Sequence, residues 1–529
     1  RLARAADGRQ PAEGRGEAPG LPGRLEAEGL LAAVWGLLDA SLSSGWLLPG
    51  TRRDLERAAE LVDAAHQRLH AGAQQEGRRG AVFCHGDPLV TLLETEPVDT
   101  WLLQTFTAAD MEAAEGHHSA TPSGCPARRQ PMPRRLRSSS ELDQTLATAL
   151  HDTEAELLLE RAGCLDFDSL SFSALPNVAA LRPLQVLAAH SLDRRGLVRT
   201  LCDQGQVPEA MKFYMCLVRF LGEIDELYRQ DVPYHNAIHA ADVMMTMEWF
   251  LTTAYLRKHV SPLDHLMALI ASAIHDVGHP GRNNIFLAKT MSPEAIRYND
   301  KSILENMHLA LSFETMQADV ACNWFALLPR AFQRSDDEPG TPAVNVQHYV
   351  RRGLIDMVLG TDMAKHAEHV RHLQEFLQLE ADGEAGGGSP SAAPRGAAAP
   401  GHARKQEALD RKLFLLVTTL HAADISNPCK PRPSMLRWGR RVLEEFWAQG
   451  DEERARAMDI SPLCDRESGR LAVAKGQLGF INFVVQPLYS PLAQLVPEVR
   501  EAAELLAESR SFWEDLDSKG ALPEDIFVL

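Results

Sequence analysis

The chain has eight cysteines in 529 residues, Cys84, Cys125, Cys164, Cys202, Cys216, Cys322, Cys429 and Cys464, and no two of them form a CxxC pair. That scatter excludes a disulfide-stapled small fold and a zinc–thiolate centre, and it fits a reducing compartment. No apolar run reaches the ~18 residues of a membrane span. The nearest approach, Gly29–Leu38, stops at Asp39. Positive charge is also short, with 54 Lys and Arg against 72 Asp and Glu and a net charge of -18. So acidic a chain is excluded as a general nucleic-acid binder, because phosphates would be repelled. A small anionic substrate remains compatible wherever a metal or local arginines supply positive charge. Sustained strand alternation is missing as well. The chain opens on Arg1, which leaves a preceding targeting or membrane segment open.

Residues 1–140 are rich in Ala, Arg, Gly and Glu and read as a largely irregular N-terminal regulatory region. Leu25–Leu48 and Arg52–His70 are its candidate short helices, and Gly116–Ser140, rich in Pro, Ser and Arg, is its linker. "RRLRSSS" at Arg134–Ser140 offers a basophilic kinase a target near Ser138, although composition alone favours a disordered Arg-rich linker. From Glu141 onward apolar spacings of three and four recur, as at Leu217, Phe220, Leu221 and Ile224, and predict an all-α domain over 141–529. "ADGEAGGGSPSAAPRGAAAPGHARK", Ala381–Lys405, is expected to be a flexible surface insertion between two helices. "TDMAKHAEHVRH", with His366, His369 and His372, reads as a solvated, mixed-charge helix face.

Three words place ionisable residues at the ends of apolar helices. In the first, Ser261 is a cap, Pro262 suits the first helical position, and Asp264 suits the first turn. That helix runs through "IASAIHDVGHPGRNN" and ends in His275, Asp276 and His279 before Pro280-Gly281 stops it. A carboxylate at the negative end of an apolar helix needs a cation. In the second, "PYHNAIHAADV", His235, His239 and Asp242 fall at i, i+4 and i+7, one face of a helix. In the third, "LHAADISNPCKP", the helix Leu413–Leu420 closes with His421 and Asp424. Buried ionisable groups at three helix ends are costly unless they share a partner, and a divalent metal is the economical one.

Taken in order, "YHNAIHAADV", "HDVGHPGRNN", "YNDKSILEN", "ADISNPCKP", "EEFWAQGDEERARAMDISPLCDR" and "GQLGFINFVVQPL" resemble the class I cyclic-nucleotide phosphodiesterases, a family with the HD-type metal-phosphohydrolase pattern. The resemblance covers roughly Glu141 to the C-terminus. It implies a compact multi-helix domain with a dinuclear metal centre. By position, His239, His275, Asp276 and Asp424 match the ligands of the tighter metal, Zn²⁺ in this family. Asp276 matches the carboxylate that bridges to a second metal, Mg²⁺ or Mn²⁺, held mainly by water. His279 matches a histidine on a metal-bound water. His235 matches the general acid, and Glu305 the carboxylate that orients it. Tyr234, Asn427, Val442, Gln477 and Phe480 match the nucleotide pocket, with Gln477 facing the purine edge and Phe480 stacking on the base.

The function implied is hydrolysis of 3′,5′-cyclic nucleotides to 5′-nucleoside monophosphates. A metal-bridging hydroxide is the nucleophile, and the reaction ends a cyclic-nucleotide signal. Cyclic AMP is the expected substrate, because asparagine followed by proline, Asn427-Pro428, is typical of the cyclic-AMP-preferring members; cyclic GMP is a poorer one. The cytoplasm is the expected compartment. Three positions depart from the family: Gly278 where aspartate is usual, Met307 where histidine is common, and Gly439-Arg440 in place of a polar pair. Two competing readings are an HD-type hydrolase for another phosphate ester and a catalytically silent nucleotide-binding scaffold.

Overall fold

The computed structural model describes residues 153–333, 343–385, 401–467, 473–522 and 526–527. The N-terminal region 1–140 and the kinase target near Ser138 lie outside the described residues. Twelve helices of eight or more residues carry the architecture. They are α1 Pro183–Arg195, α2 Ala210–Leu227, α3 Ala237–Thr252, α4 Pro262–Ile274, α5 Ile303–Ala318 and α6 Val346–Leu359, followed by α7 His366–Ala385, α8 Gly401–Asp424, α9 Arg432–Ala455, α10 Val473–Phe480, α11 Gln486–Leu495 and α12 Arg500–Lys519. Among the described residues there is no strand, only one antiparallel bridge between Phe332 and Val344. The all-α expectation is met. No helix among these residues is long and apolar enough to cross a membrane.

α3 is the central rod. Every residue from His239 to Leu251 is buried, as expected of a helix that is apolar on all sides. It packs against α1, α4 and α8, so the ends of α4 and α8 come to its first turn. α4 starts with the cap that the sequence suggested. Ser261 Oγ accepts from Asp264 N, and the Asp264 carboxylate accepts from Ser261 N at 2.8 Å. The same carboxylate accepts from Tyr349 of α6 and pairs with Lys412 of α8 at 2.8 Å. A buried N-terminal cap thus ties three helices together. Asp225 of α2 does similar work for α1, accepting from Leu184 N at 2.9 Å.

Two expectations need correcting. The insertion is shorter than its composition suggests, because α7 continues to Ala385 and α8 already begins at Gly401; residues 386–400 lie outside the described residues. The histidines of "TDMAKHAEHVRH" do not share a solvated face. His366 and His369 are 2% and 9% exposed and turn toward His421, with His366 Nδ1 2.9 Å from His421 Nε2. Only His372 of the three faces solvent. A neutral imidazole packs as a flat ring with two polar edges, so a spacing that looks charged was partly a buried aromatic face.

Candidate functional site

Each of the three words delivers its ionisable residues from a helix end. His239 sits in the first turn of α3, where the Asn236 side chain caps the helix by accepting from Ile238 N at 3.0 Å. His275 and Asp276 follow directly on α4, and Asp424 is the last residue of α8. His239 Nε2 lies 3.0 Å from Asp424 Oδ1 and 3.6 Å from Asp276 Oδ2. His275 Nε2 lies 3.0 Å from Asp276 Oδ2 and 3.3 Å from Asp424 Oδ1. Donor atoms from all four residues fall within 4.8 Å of one another.

This arrangement calls for positive charge. Burial would raise both carboxyl groups, but His275 more than offsets it and holds Asp276 and Asp424 well below the carboxylate range. Burial would likewise lower His275, yet Asp276 and Asp424 lift it well above the usual imidazole value. In other words, a proton on His275 stands in for a cation. His275 Nδ1 donates to the Ser272 carbonyl at 2.8 Å, which turns Nε2 toward the carboxylates. Neither His275 Nε2 nor Asp276 Oδ2 makes a well-formed hydrogen bond, although both are buried. Two imidazoles and two carboxylates, with His275 Nε2 and Asp276 Oδ2 unsatisfied among them, fit a divalent metal.

A second group lies alongside. His235 Nδ1 is 2.5 Å from Glu445 Oε1, and the other oxygen of Glu445 accepts from the backbone N–H of Tyr234 and of His235, each at 3.0 Å. Burial works against a charged His235, but Glu445, Asp276 and Asp424 prevail and raise it to about 9. The His279 ring stacks on His235 with centroids 4.1 Å apart. His279 Nδ1 accepts from Gly281 N, and burial with the neighbouring His235 pushes this imidazole down to about 3.

Glu305 does not hold His235. Its two oxygens accept from Asn284 Nδ2 at 3.1 and 3.3 Å, and burial with the nearby Asp362 pushes it up to about 8. The orienting carboxylate is Glu445, 210 residues after His235. Two residues thus escaped the sequence reading. Glu445 lies in the word "EEFWAQGDEERARAMDISPLCDR" and belongs to a buried polar stripe on α9, with Gln449 and Glu453 at successive turns. His308 stands one turn after Glu305, with Nδ1 donating to the Val277 carbonyl and Nε2 3.6 Å from Asp276 Oδ1. Gly278 adopts φ +77°, and a Cβ there would meet Leu311 at 2.8 Å. Its departure from the family therefore goes with a tight contact on α5.

Of the proposed pocket residues, the described contacts join three. Tyr234 and Val442 belong to a small apolar cluster with Leu170, Ile238 and Trp438. Asn427 donates its side-chain N–H to the Tyr234 hydroxyl. Gln477 and Phe480 stand one turn apart on α10, both half-buried. Asp242, on the ligand helix, accepts from Ser169 Oγ and pairs with the fully buried Lys430 at 3.3 Å. Lys430 follows Asn427 by three residues, so this pair braces the loop after α8.

Residues 234–506 match the family model described as 3′5′-cyclic nucleotide phosphodiesterase. The chain belongs to this family. It is 34% identical over 334 residues to 3′,5′-cyclic-AMP phosphodiesterase 4C of Rattus norvegicus, covering 63% of this chain and 54% of that protein. It is 32% identical over 358 residues to 3′,5′-cyclic-AMP phosphodiesterase, isoform F, of Drosophila melanogaster, covering 67% of this chain and 47% of that one. The chain spans about half the length of these curated relatives. Among solved structures it is similar to the phosphodiesterase domain of Salpingoeca rosetta rhodopsin phosphodiesterase, at 27% identity and a TM-score of 0.53, covering 70% of this chain and 96% of that one.

Proposed function

We propose that this chain hydrolyses 3′,5′-cyclic nucleotides, cyclic AMP in preference to cyclic GMP, to 5′-nucleoside monophosphates. The observation that carries the reading is the His239, His275, Asp276 and Asp424 cluster with the His235–Glu445 pair beside it. The family match and the cyclic-AMP phosphodiesterases among the relatives support it. The catalytic domain is residues 141–529, preceded by a regulatory region.

His239, His275, Asp276 and Asp424 would hold one divalent metal, Zn²⁺ by its donor set. A second ion, Mg²⁺ or Mn²⁺, would be held through Asp276. When bound, the two ions supply Lewis-acid charge at the phosphate and make water more acidic. The work of the chain's own residues centres on one proton. A water oxygen attacks phosphorus, the P–O3′ bond breaks, and His235 gives its proton to the departing oxygen. Glu445 keeps that imidazole charged and fixes its orientation. His279, neutral beside it, is free to orient water. The base would lie between Phe480 and Val442, with Gln477 and Asn427 reading its edge.

Selectivity follows from Asn427. Gln477 alone can satisfy either purine by rotating its amide; Asn427, joined to the Tyr234 hydroxyl, adds a second reader beside it. The test is metal analysis of the purified protein alongside kcat/KM for cyclic AMP and cyclic GMP. Two divalent metals per chain and a clear preference for cyclic AMP are expected. A metal-free chain, or equal values for the two nucleotides, would reject the corresponding half of the reading.

A further inference from the structure

A short segment ahead of the family match buttresses the pocket from behind. The helix Ser169–Ser173 is too short to be stable alone, but five hydrogen bonds pin it. Asp168 caps it by accepting from Ser171 N at 3.0 Å. Arg437 of α9 donates to both oxygens of Asp168, at 2.8 and 3.0 Å, and to Ser171 Oγ at 3.0 Å. Ser169 Oγ donates to Asp242 of α3. These contacts press Leu170, 3% exposed, into an apolar cluster that is separate from the main core and contains Tyr234, Ile238, Trp438 and Val442. Trp438 meets Tyr234 edge-on at 5.6 Å, and the Tyr234 hydroxyl receives the Asn427 amide. Leu170 therefore supports the ring that holds the purine reader, although it lies 64 positions before the first residue of the family match.

We propose that Leu170, clamped by Asp168 and Arg437, is a positioning residue for nucleotide binding and purine selectivity. This deepens the nucleotide-hydrolase reading and rests on it. A smaller side chain at 170 leaves a gap behind Tyr234, the ring settles into it, and Asn427 loses its fixed orientation. The site would then bind the nucleotide less well, while the backbone N–H groups of Tyr234 and His235, both held by Glu445, keep His235 in place. Such a change raises KM and leaves kcat alone.

The experiment compares wild type, Leu170→Ala and Arg437→Met for kcat and KM on both nucleotides and for calorimetric affinity toward 5′-AMP. Arg437→Met removes the clamp from a half-exposed position without opening a cavity. In Leu170→Ala, KM for cyclic AMP should rise roughly tenfold with kcat within about twofold, 5′-AMP affinity should fall in step, and the preference over cyclic GMP should narrow. Arg437→Met should move the same way by less. If Leu170→Ala does not fold, Arg437→Met alone decides. Unchanged KM and selectivity in the folded variants, or a loss confined to kcat, overturns the assignment of Leu170. A wild type that hydrolyses neither nucleotide overturns the functional reading as well; an active wild type with unaltered variants overturns this inference alone.

Discussion

His235 Nδ1 and Glu445 Oε1 face each other at 2.5 Å inside the protein, and the carboxylate's second oxygen is taken up by two backbone N–H groups. Glu445 is therefore fixed in place before it meets the histidine. Although burial would raise it, His235 holds it at about 2, well below the usual carboxylate range.

Glu445→Gln should keep the fold and the metal content but lower kcat by ~10²–10⁴-fold, the usual size of general-acid catalysis. The sign of the accompanying pH effect follows from the charge removed. Glu445 raises the His235 pKa, so its loss lowers that pKa, and the alkaline limb of the rate profile should move toward lower pH. A pH–rate profile of the variant checks this; an unmoved limb would mean that His235 is not the acid.

Asp276→Ala should abolish hydrolysis, since Asp276 reaches toward His239 and His275 with one oxygen and toward His308 with the other. Metal stoichiometry and turnover, measured on one preparation, should fall together. Near-wild-type turnover would sink the bridging role.

Asp242→Asn should act on stability. It leaves Lys430, which is 1% exposed, without its carboxylate, and breaking a buried pair from one side costs about 3–5 kcal/mol. Chemical denaturation should show a lower midpoint, with the Thr246 hydroxyl left to accept from Lys430. An unchanged midpoint would show that the Asp242–Lys430 pair does not stabilise the fold.

Asp225→Asn tests a different sign. Burial pushes Asp225 up to about 7, against the opposing Leu184 N–H and Arg182. A carboxyl that holds its proton more tightly when folded favours the fold below its unfolded pKa, and that benefit is lost as pH rises toward 7. Asparagine keeps an acceptor for Leu184 N and does not ionise. Relative to wild type, its melting temperature should therefore rise between about pH 4 and pH 7. A constant difference across that window would contradict the assignment.

The four clustered residues were legible because each belongs to a contiguous word at a helix end: His239 after a cap, His275-Asp276 after an apolar run, Asp424 after another. Glu445 was not, although it lies in the word "EEFWAQGDEERARAMDISPLCDR", because its partner lies 210 residues away and the word does not say what the side chain meets. Glu305, in the matching "LEN" word, is the residue the resemblance puts in that role, and it faces Asn284 instead. The helical class could be read from three-and-four spacing, but that spacing assigns each position to one side of a helix and not to a neighbour. His366 and His369 therefore looked solvated until α7 was seen packed against α11 and turned toward His421 of α8.

The cap at Ser261 and Asp264 has a mechanical consequence. Asp264 is joined to Lys412 far from the chemistry, while His275 and Asp424 stand at the opposite ends of the same two helices. At 1.5 Å per residue those ends lie about 17 Å from the joint. The helices are two lever arms fastened at the heel, and a tilt of about 3° at the heel would shift the tips by nearly 1 Å, enough to spoil a reacting geometry. Lys412→Met would touch none of His239, His275, Asp276 and Asp424 and would still loosen the hold of the two tips on one another.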